Sequence, residues 1–179
     1  MGKKIFGIDI NDLIFLGKGV EGKVFLTPDG NVLKVFSSSN LCRYKYKILK
    51  QMDEKIYLPK VLMCKGRFML REYVNGTPIK EYIQTNGLSR NLALNLIDFV
   101  EDFERSRLRV DGISKHVFIQ KDESIKIVDP RKKKYYIHSS ILRTLKEAEV
   151  LEDFLKMLKA ERPDLESQWS KAISKLIKK

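Results

Sequence analysis

Between Ile14 and Phe36 the chain runs through three short apolar segments separated by two glycine-bearing turns. Ile14-Phe15-Leu16 leads into Gly17-Lys18-Gly19-Val20-Glu21-Gly22, and Val24-Phe25-Leu26 follows. Thr27-Pro28-Asp29-Gly30 is strong turn chemistry, and Asn31 to Phe36 returns as a third apolar run. Runs of this length are too short for stable helices but suit strands, and the connections are too short for parallel crossovers. The segment therefore predicts an antiparallel meander. That commits the beginning of the chain to a sheet, which needs a helix or a second layer to cover its apolar face.

The remainder supplies helices. Ser37 to Asn40 offers N-caps for a helix over Leu41 to Asp53, where Ile48, Leu49 and Met52 form an apolar stripe. Tyr57-Leu58-Pro59 ends it, and Val61 to Cys64 and Arg67 to Val74 read as two more strands. After Asn75-Gly76 comes a short helical segment, Ile79 to Ile83. Ser89 then caps the clearest helix of the chain, in which Leu92, Leu96, Phe99, Val100 and Phe103 recur at helical spacing. Ile141, Leu142, Leu145, Ala148, Leu151, Leu155 and Leu158 mark one further helix. Trp169, Ile173, Leu176 and Ile177 mark another beyond Arg162-Pro163. With strands first and helices later, the class is α+β in two lobes, residues 1–74 and 75–179. The first is an antiparallel sheet plus one helix, and the second is mostly helical.

Two features carry chemistry in the first lobe. Gly17, Gly19 and Gly22 form G-x-G-x-x-G-x-V with Val24. Glycines there let a backbone turn tightly and approach phosphate oxygens that a Cβ would exclude. They lie between two strands, which argues against a dinucleotide-binding turn, and no Gly-Lys-Ser/Thr follows to make a Walker loop. Lys34 stands in Val32-Leu33-Lys34-Val35-Phe36, a strand apolar on both sides. A lysine in such a place requires an anionic partner, and a bound triphosphate would supply one. A lysine snorkelling to water from an edge strand is the alternative.

In the second lobe, Arg109 to Pro130 reads as a loop followed by a hairpin. Val117-Phe118-Ile119, within His116 to Gln120, forms one strand. Lys121 to Ser124 makes the turn, and Ile125 to Val128 forms the second strand, ending at Asp129. Asp111 opens the loop. Two carboxylates at one end of a rigid hairpin suit a site that positions a metal ion and activates a nucleophile.

In this order, the glycine loop, the strand lysine, Glu72-Tyr73-Val74, Asp111 and Asp129 resemble the bilobal protein-kinase-like fold. The separation of 129 − 111 = 18 residues between the aspartates is that of its catalytic-loop and metal-binding aspartates. The resemblance covers residues 14–130. It is most similar to short bacterial serine/threonine-kinase-like proteins (YrzF-like) and, more distantly, to RIO-type minimal kinases. It implies that Gly17, Gly19 and Gly22 cover the phosphates of ATP and that Val24 packs on the adenine. Lys34 would hold the α- and β-phosphates, while Glu72 and Val74 offer backbone groups to the adenine edge. Asp111 would orient the attacking hydroxyl and accept its proton, and Asp129 would bind Mg²⁺ or Mn²⁺.

The departures from that pattern are specific. The helix glutamate that should pair with Lys34 aligns with Lys45, which cannot form that ion pair, and Leu41 to Lys50 holds no acidic residue. His116 replaces the asparagine that would be the second metal ligand, and imidazole is an atypical ligand for Mg²⁺. Arg71 precedes Glu72 where an apolar residue is usual, and Pro130-Arg131 follows Asp129. Lys115 is a candidate for the phosphate-contacting lysine of the catalytic loop. Only 179 − 129 = 50 residues follow Asp129, too few for a long activation segment.

Composition sets the remaining bounds. The formal net charge of +12 fits a protein whose ligands are phosphates, and also a nucleic-acid binder. Tyr44-Lys45-Tyr46-Lys47 and Lys134-Tyr135-Tyr136 are the interleaved aromatic and basic runs that stacking on nucleic acid would need. Cys42 and Cys64 are too few and too isolated for a disulfide framework or a metal site. His138 is expected at the surface and Trp169 in the core. No apolar run approaches the ~20 residues that span a bilayer, so no membrane partner is expected and the expected setting is the cytoplasm. The leading reading is an ATP-dependent phosphotransferase acting on a Ser/Thr hydroxyl of a protein substrate. A pseudokinase that binds nucleotide or a partner without efficient transfer is the second, and a basic nucleic-acid-associated scaffold the third.

Overall fold

A computed structural model describes residues 3–50, 57–132 and 137–177. The chain separates into two units, Met1–Val74 and Asn75–Lys179.

The first unit begins with a small hairpin, β1 (Lys4–Ile5) and β2 (Ile8–Asp9), turned at Phe6-Gly7 and followed by a 3-10 turn at Ile10–Asp12. The expected meander follows as β3 (Ile14–Gly19), β4 (Gly22–Leu26) and β5 (Asn31–Phe36). Helix α1 (Ser39–Lys50) then leads to β6 (Val61–Lys65) and β7 (Phe68–Glu72). These five strands form one antiparallel sheet in the order β3-β4-β5-β7-β6. Residues 51–53 of the expected first helix lie outside the described residues. Cys42, Ile48 and Leu49 of α1 are buried, as are Leu33, Met69 and Leu70 of the sheet. Helix α1 covers the face of the sheet that carries Met69 and Cys64, while Leu33 and Leu70, paired across β5 and β7, are buried on the other face. Gly66, with φ of 58°, makes the tight β6–β7 turn, a backbone state that costs glycine nothing.

The second unit opens with β8 (Thr77–Pro78) running into α2 (Ile79–Asn86), followed by α3 (Arg90–Arg105). Ser89 caps α3 as expected, its Oγ accepting from the Leu92 amide at 2.9 Å. The stripe Leu92, Leu96, Phe99, Val100 and Phe103 is fully buried. Burying each of these side chains contributes about 1.5–3 kcal/mol, so α3 is the spine of this unit. Then come β9 (Leu108–Val110), the single turn α4 (Ile113–His116), β10 (Val117–Ile119), β11 (Ile125–Ile127) and β12 (Pro130–Lys132). Strands β10 and β11 are the expected hairpin, with β10 one residue shorter at each end and β11 lacking only Val128. Two further ladders were not legible in the sequence: β10 pairs with β8, and β12 pairs with β9.

Three helices complete the unit: α5 (Ile137–Glu147), α6 (Leu151–Glu161) and α7 (Pro163–Ile177). The single helix expected from Ile141 to Leu158 is therefore two. Glu149 adopts φ of 62°, the Val150 amide donates to the Leu145 carbonyl at 3.1 Å, and the chain turns in a left-handed cap. The apolar spacing continues through the break because both helices face the same core. Sequence periodicity therefore concealed the break.

His138 is also corrected. Its side chain is only 12% exposed and stacks on buried Trp169, with ring centroids 5.3 Å apart. Among the described residues, no helix is long and apolar enough to cross a membrane.

Candidate functional site

In the first unit, strand register places the predicted residues in one row. Gly17 lies opposite Val24, Val24 opposite Lys34, and Lys34 opposite Met69. Directly paired residues project to the same face, so Val24 and Lys34 are neighbours on the face that carries Met69. Gly19 pairs with Gly22, leaving Val20 and Glu21 as the two-residue tip of the hairpin. Val20 is fully exposed, whereas Glu21 turns inward.

Glu21 is the residue that sequence reasoning missed. One of its carboxylate oxygens takes the Lys34 ammonium at 3.2 Å, and the other takes Lys45 at 3.1 Å. The side chains of Lys34 and Glu21 are 12% exposed and that of Lys45 only 4%. Burial of ammonium groups to this degree requires a paired anion. As expected, Lys45 does not pair with Lys34; both lysines instead share the Glu21 carboxylate. The sequence held the signal, since two inward lysines and a helix without acids demand a carboxylate from elsewhere. Backbone contacts fix the tip, because the Glu21 carbonyl accepts from the Ser37 amide at 2.9 Å. The Lys34 ammonium also lies 4.7 Å from the centre of the Phe36 ring.

The three glycines are not equivalent. A Cβ on Gly22 would lie 2.0 Å from the Val35 carbonyl oxygen, and its φ is 150°. Glycine is therefore required there by the sheet itself. Around Gly17 and Gly19 a Cβ would meet nothing within 4 Å, so packing inside the protein does not account for them. Glu72 ends β7, with its amide donating to the Lys60 carbonyl and its carboxylate accepting from the Lys60 amide, both at 3.0 Å. Val74 follows as the half-buried last residue of the unit. Arg71 is buried in β7 between Val32 and Val61.

Cys42 and Cys64 are not isolated from each other. Their sulfur atoms are 3.6 Å apart, joining α1 to β6, and both are free thiols. Burial, followed by the hydrogen bond to Cys64, pushes the Cys42 thiol up to about 12.

In the second unit, the β9–β12 ladder explains how Asp111 and Asp129 come together. Val110 lies opposite Pro130. Asp111 continues from one strand and Asp129 leads into the other, so both emerge at the same end of the ladder. Gly112, with φ of 61°, turns the chain into α4. His116 folds back so that its Nδ1 lies 2.5 Å from the Asp111 carbonyl oxygen. Lys115 is exposed on the same turn.

Arginines surround the pair. Asp111 is paired with Arg109 on one oxygen, and Arg131 lies 3.3 Å from the other. Arg131 also reaches Asp129 at 3.7 Å. Arg109 is itself buried, its Nε donating to the Lys132 carbonyl at 3.1 Å. This guanidinium pairing is the second feature missed from sequence. Arg109 and Arg131 are cross-strand partners, and that pairing appears only once the ladder exists.

The donor set for Mg²⁺ can be tested against this arrangement. Mg²⁺ asks for hard oxygen donors in near-octahedral array. The two carboxylates face arginines, and the Nδ1 of His116 faces a carbonyl oxygen. Among the described residues no group of three or more His, Cys, Asp or Glu side chains is placed to hold a metal ion. As arranged, Asp129 and His116 do not fit a resident Mg²⁺, because Asp129 is already paired with the Arg131 guanidinium and His116 offers an imidazole rather than a hard oxygen donor.

No protein-family model matches the chain, and no curated protein matches it in sequence. Among solved structures it is similar to Rad53 residues 1–466 in complex with AMP-PNP, at 14% identity and a TM-score of 0.46. The match covers 66% of this chain and 38% of that one. A likeness at that score carries no functional argument, so the reading of function rests on this chain's own residues.

Proposed function

We propose that the protein is an ATP-dependent phosphotransferase of the serine/threonine-kinase type. The observation that carries this reading is the convergence of Asp111 and Asp129 at one end of the β9–β12 ladder. Lys34, on a strand next to the glycine hairpin, supports it from the first unit. In this reading Gly17 and Gly19 leave the space through which phosphates approach the backbone, and Lys34 holds them. Val24, beside Lys34, packs on the adenine, and Glu72 and Val74 present backbone groups to its edge. Asp111, held by Arg109 and Arg131, orients a substrate hydroxyl. Such chemistry is largely positioning and charge neutralisation, so few residues suffice. No step is assigned to a metal at Asp129 or His116. The substrate in this reading is a Ser or Thr hydroxyl of a protein.

A specific observation favours a second reading. Arginines on both aspartates suit a pseudokinase that binds nucleotide without efficient transfer, since the carboxylates already have partners. The nucleic-acid reading has less behind it: Lys45 of the Tyr44–Lys47 run is turned inward, and Lys134 to Tyr136 lie outside the described residues.

The test is a thermal-shift titration with ATP, in Mg²⁺, in Mn²⁺ and in chelator, on the wild type and Lys34→Ala. Ligand at 100 times its Kd stabilises a fold by ~2.7 kcal/mol. A shift in the wild type that Lys34→Ala abolishes, together with transfer of labelled phosphate to protein hydroxyls, is the expected result. The shift without transfer selects the pseudokinase. No shift at millimolar nucleotide removes both, and salt-sensitive retention on RNA that survives Lys34→Ala selects the scaffold.

A further inference from the structure

Glu21, Lys34 and Lys45 make a cluster that the phosphotransferase reading uses only in part. Two ammonium groups from different elements, β5 and α1, converge on opposite oxygens of one carboxylate, at 3.2 and 3.1 Å. The carboxylate comes from the tip of the glycine hairpin. Lys45 is buried, at 3% of its full exposure, so the helix holds this charge inside rather than letting it reach water.

A phosphate group presents two oxygens at nearly the spacing of a carboxylate's. It also carries more charge, so it forms stronger charge-assisted hydrogen bonds with paired ammonium groups. The backbone on both sides of Glu21 is pinned by the Ser37 amide and by the close approach of Gly22 to Val35. The carboxylate can therefore leave by side-chain rotation while the hairpin stays in place.

We propose that Lys34 and Lys45 form a two-lysine oxyanion site and that Glu21 is its built-in occupant, displaced when a polyphosphate binds. Lys45 is then a binding residue in its own right, not a defective substitute for a helix glutamate. The ligand class is a polyphosphate chain, and the identification of that chain as the tail of ATP rests on the nucleotide reading of Lys34. Glu21 has two opposed effects. It stabilises the empty fold by neutralising buried ammonium groups, and it competes with the ligand for them.

The experiment uses the full chain, with calorimetric titration of tripolyphosphate and, separately, ATP, and with melting temperature measured on each variant. Lys45→Met removes one ammonium at nearly constant volume and leaves Lys34 paired with Glu21. It is expected to weaken tripolyphosphate binding roughly tenfold, the loss of one charged hydrogen bond. Lys23→Met, at an exposed position on β4, controls for general positive charge and is expected to change affinity by less than about twofold, as exposed charges are screened. Glu21→Gln is expected to bind tripolyphosphate more tightly while melting at a lower temperature. A merely structural Glu21 would lose both stability and affinity.

Equal effects of Lys45→Met and Lys23→Met overturn the proposal. So does a Glu21→Gln protein that binds more weakly, or a wild type that binds no tripolyphosphate. Should Glu21→Gln fail to fold, the comparison of Lys45→Met with Lys23→Met still decides. The two readings fail separately. Tripolyphosphate binding with these variant effects, but no gain from the nucleoside of ATP, keeps the oxyanion site and removes the nucleotide. ATP binding that is indifferent to Lys45 and Glu21 does the reverse.

Discussion

Replacing Arg131 by glutamine is the perturbation that most directly examines the aspartate pair. Arg131 lies 3.3 Å from an Asp111 oxygen and 3.7 Å from an Asp129 oxygen, and its side chain is 36% exposed. At that exposure a solvent-like dielectric applies, and one charge pair near 4 Å is worth about 1 kcal/mol. Two pairs give about 2 kcal/mol, which converts to roughly a 30-fold change in affinity for a competing cation. Arg131→Gln is therefore expected to bind Mn²⁺ at Asp111 and Asp129 on the order of 10–30 times more tightly than the wild type. Arg131→Lys, which keeps the charge, is expected to stay near the wild type. Stability changes little, because exposed ion pairs contribute about 0–1 kcal/mol each. Electron paramagnetic resonance of free Mn²⁺ during titration reads the affinity without reference to activity. Equal Mn²⁺ affinity in wild type and Arg131→Gln would refute the idea that the guanidinium holds the cation's place, as would tighter binding in the wild type.

Gly22→Ala forces a Cβ against the Val35 carbonyl and is expected to cost about 2–3 kcal/mol in urea melts, whereas Gly17→Ala and Gly19→Ala, strand positions with open space for a Cβ, are expected to be neutral or to stabilise by up to about 1 kcal/mol. Glu149→Gly relieves a left-handed backbone at φ of 62° and is expected to raise stability by about 0.5–1 kcal/mol, the steric relief less the added chain entropy. The hydrogen bonds from Arg162 hold the Glu101 carboxyl below its ordinary 4.5. Its contribution is thus complete above pH 4.5 and is lost as pH falls through the lowered value. The stability gap between wild type and Arg162→Ala should be constant above that pH and close below it, as followed by melting temperature. With its pKa near 12, Cys42 stays protonated at neutral pH, so maleimide at pH 7.5 should label half-buried Cys64 alone by mass spectrometry. Labelling of Cys42 in the native protein would contradict its burial.

Much of the architecture was legible because its causes are local. Three apolar runs with Asp29-Gly30 and a glycine-spaced turn between them can pair only as a meander. Ser89 and its apolar stripe specify α3 without help from the rest of the chain. Proline at the first position of α7 marks its start, where the missing amide costs nothing. The break at Glu149 was hidden because a non-glycine residue took the left-handed cap. His138 was misplaced because a lone histidine carries no signal of the tryptophan that it stacks on.

The site divides the same way. The sequence by itself determined which groups are available: glycines in a strand turn, an inward lysine on β5, two aspartates 18 residues apart, and no acid in α1. Each of these follows from residue type and short-range spacing. Only the tertiary structure decided how the charges are matched. Glu21 reaches Lys34 and Lys45 because the hairpin, the strand and the helix converge on one another. Arg131 reaches both aspartates because β12 pairs with β9 across more than twenty residues of chain. Coulomb attraction acts through space and ignores sequence separation, so the partners of a buried charge emerge only when the chain has folded.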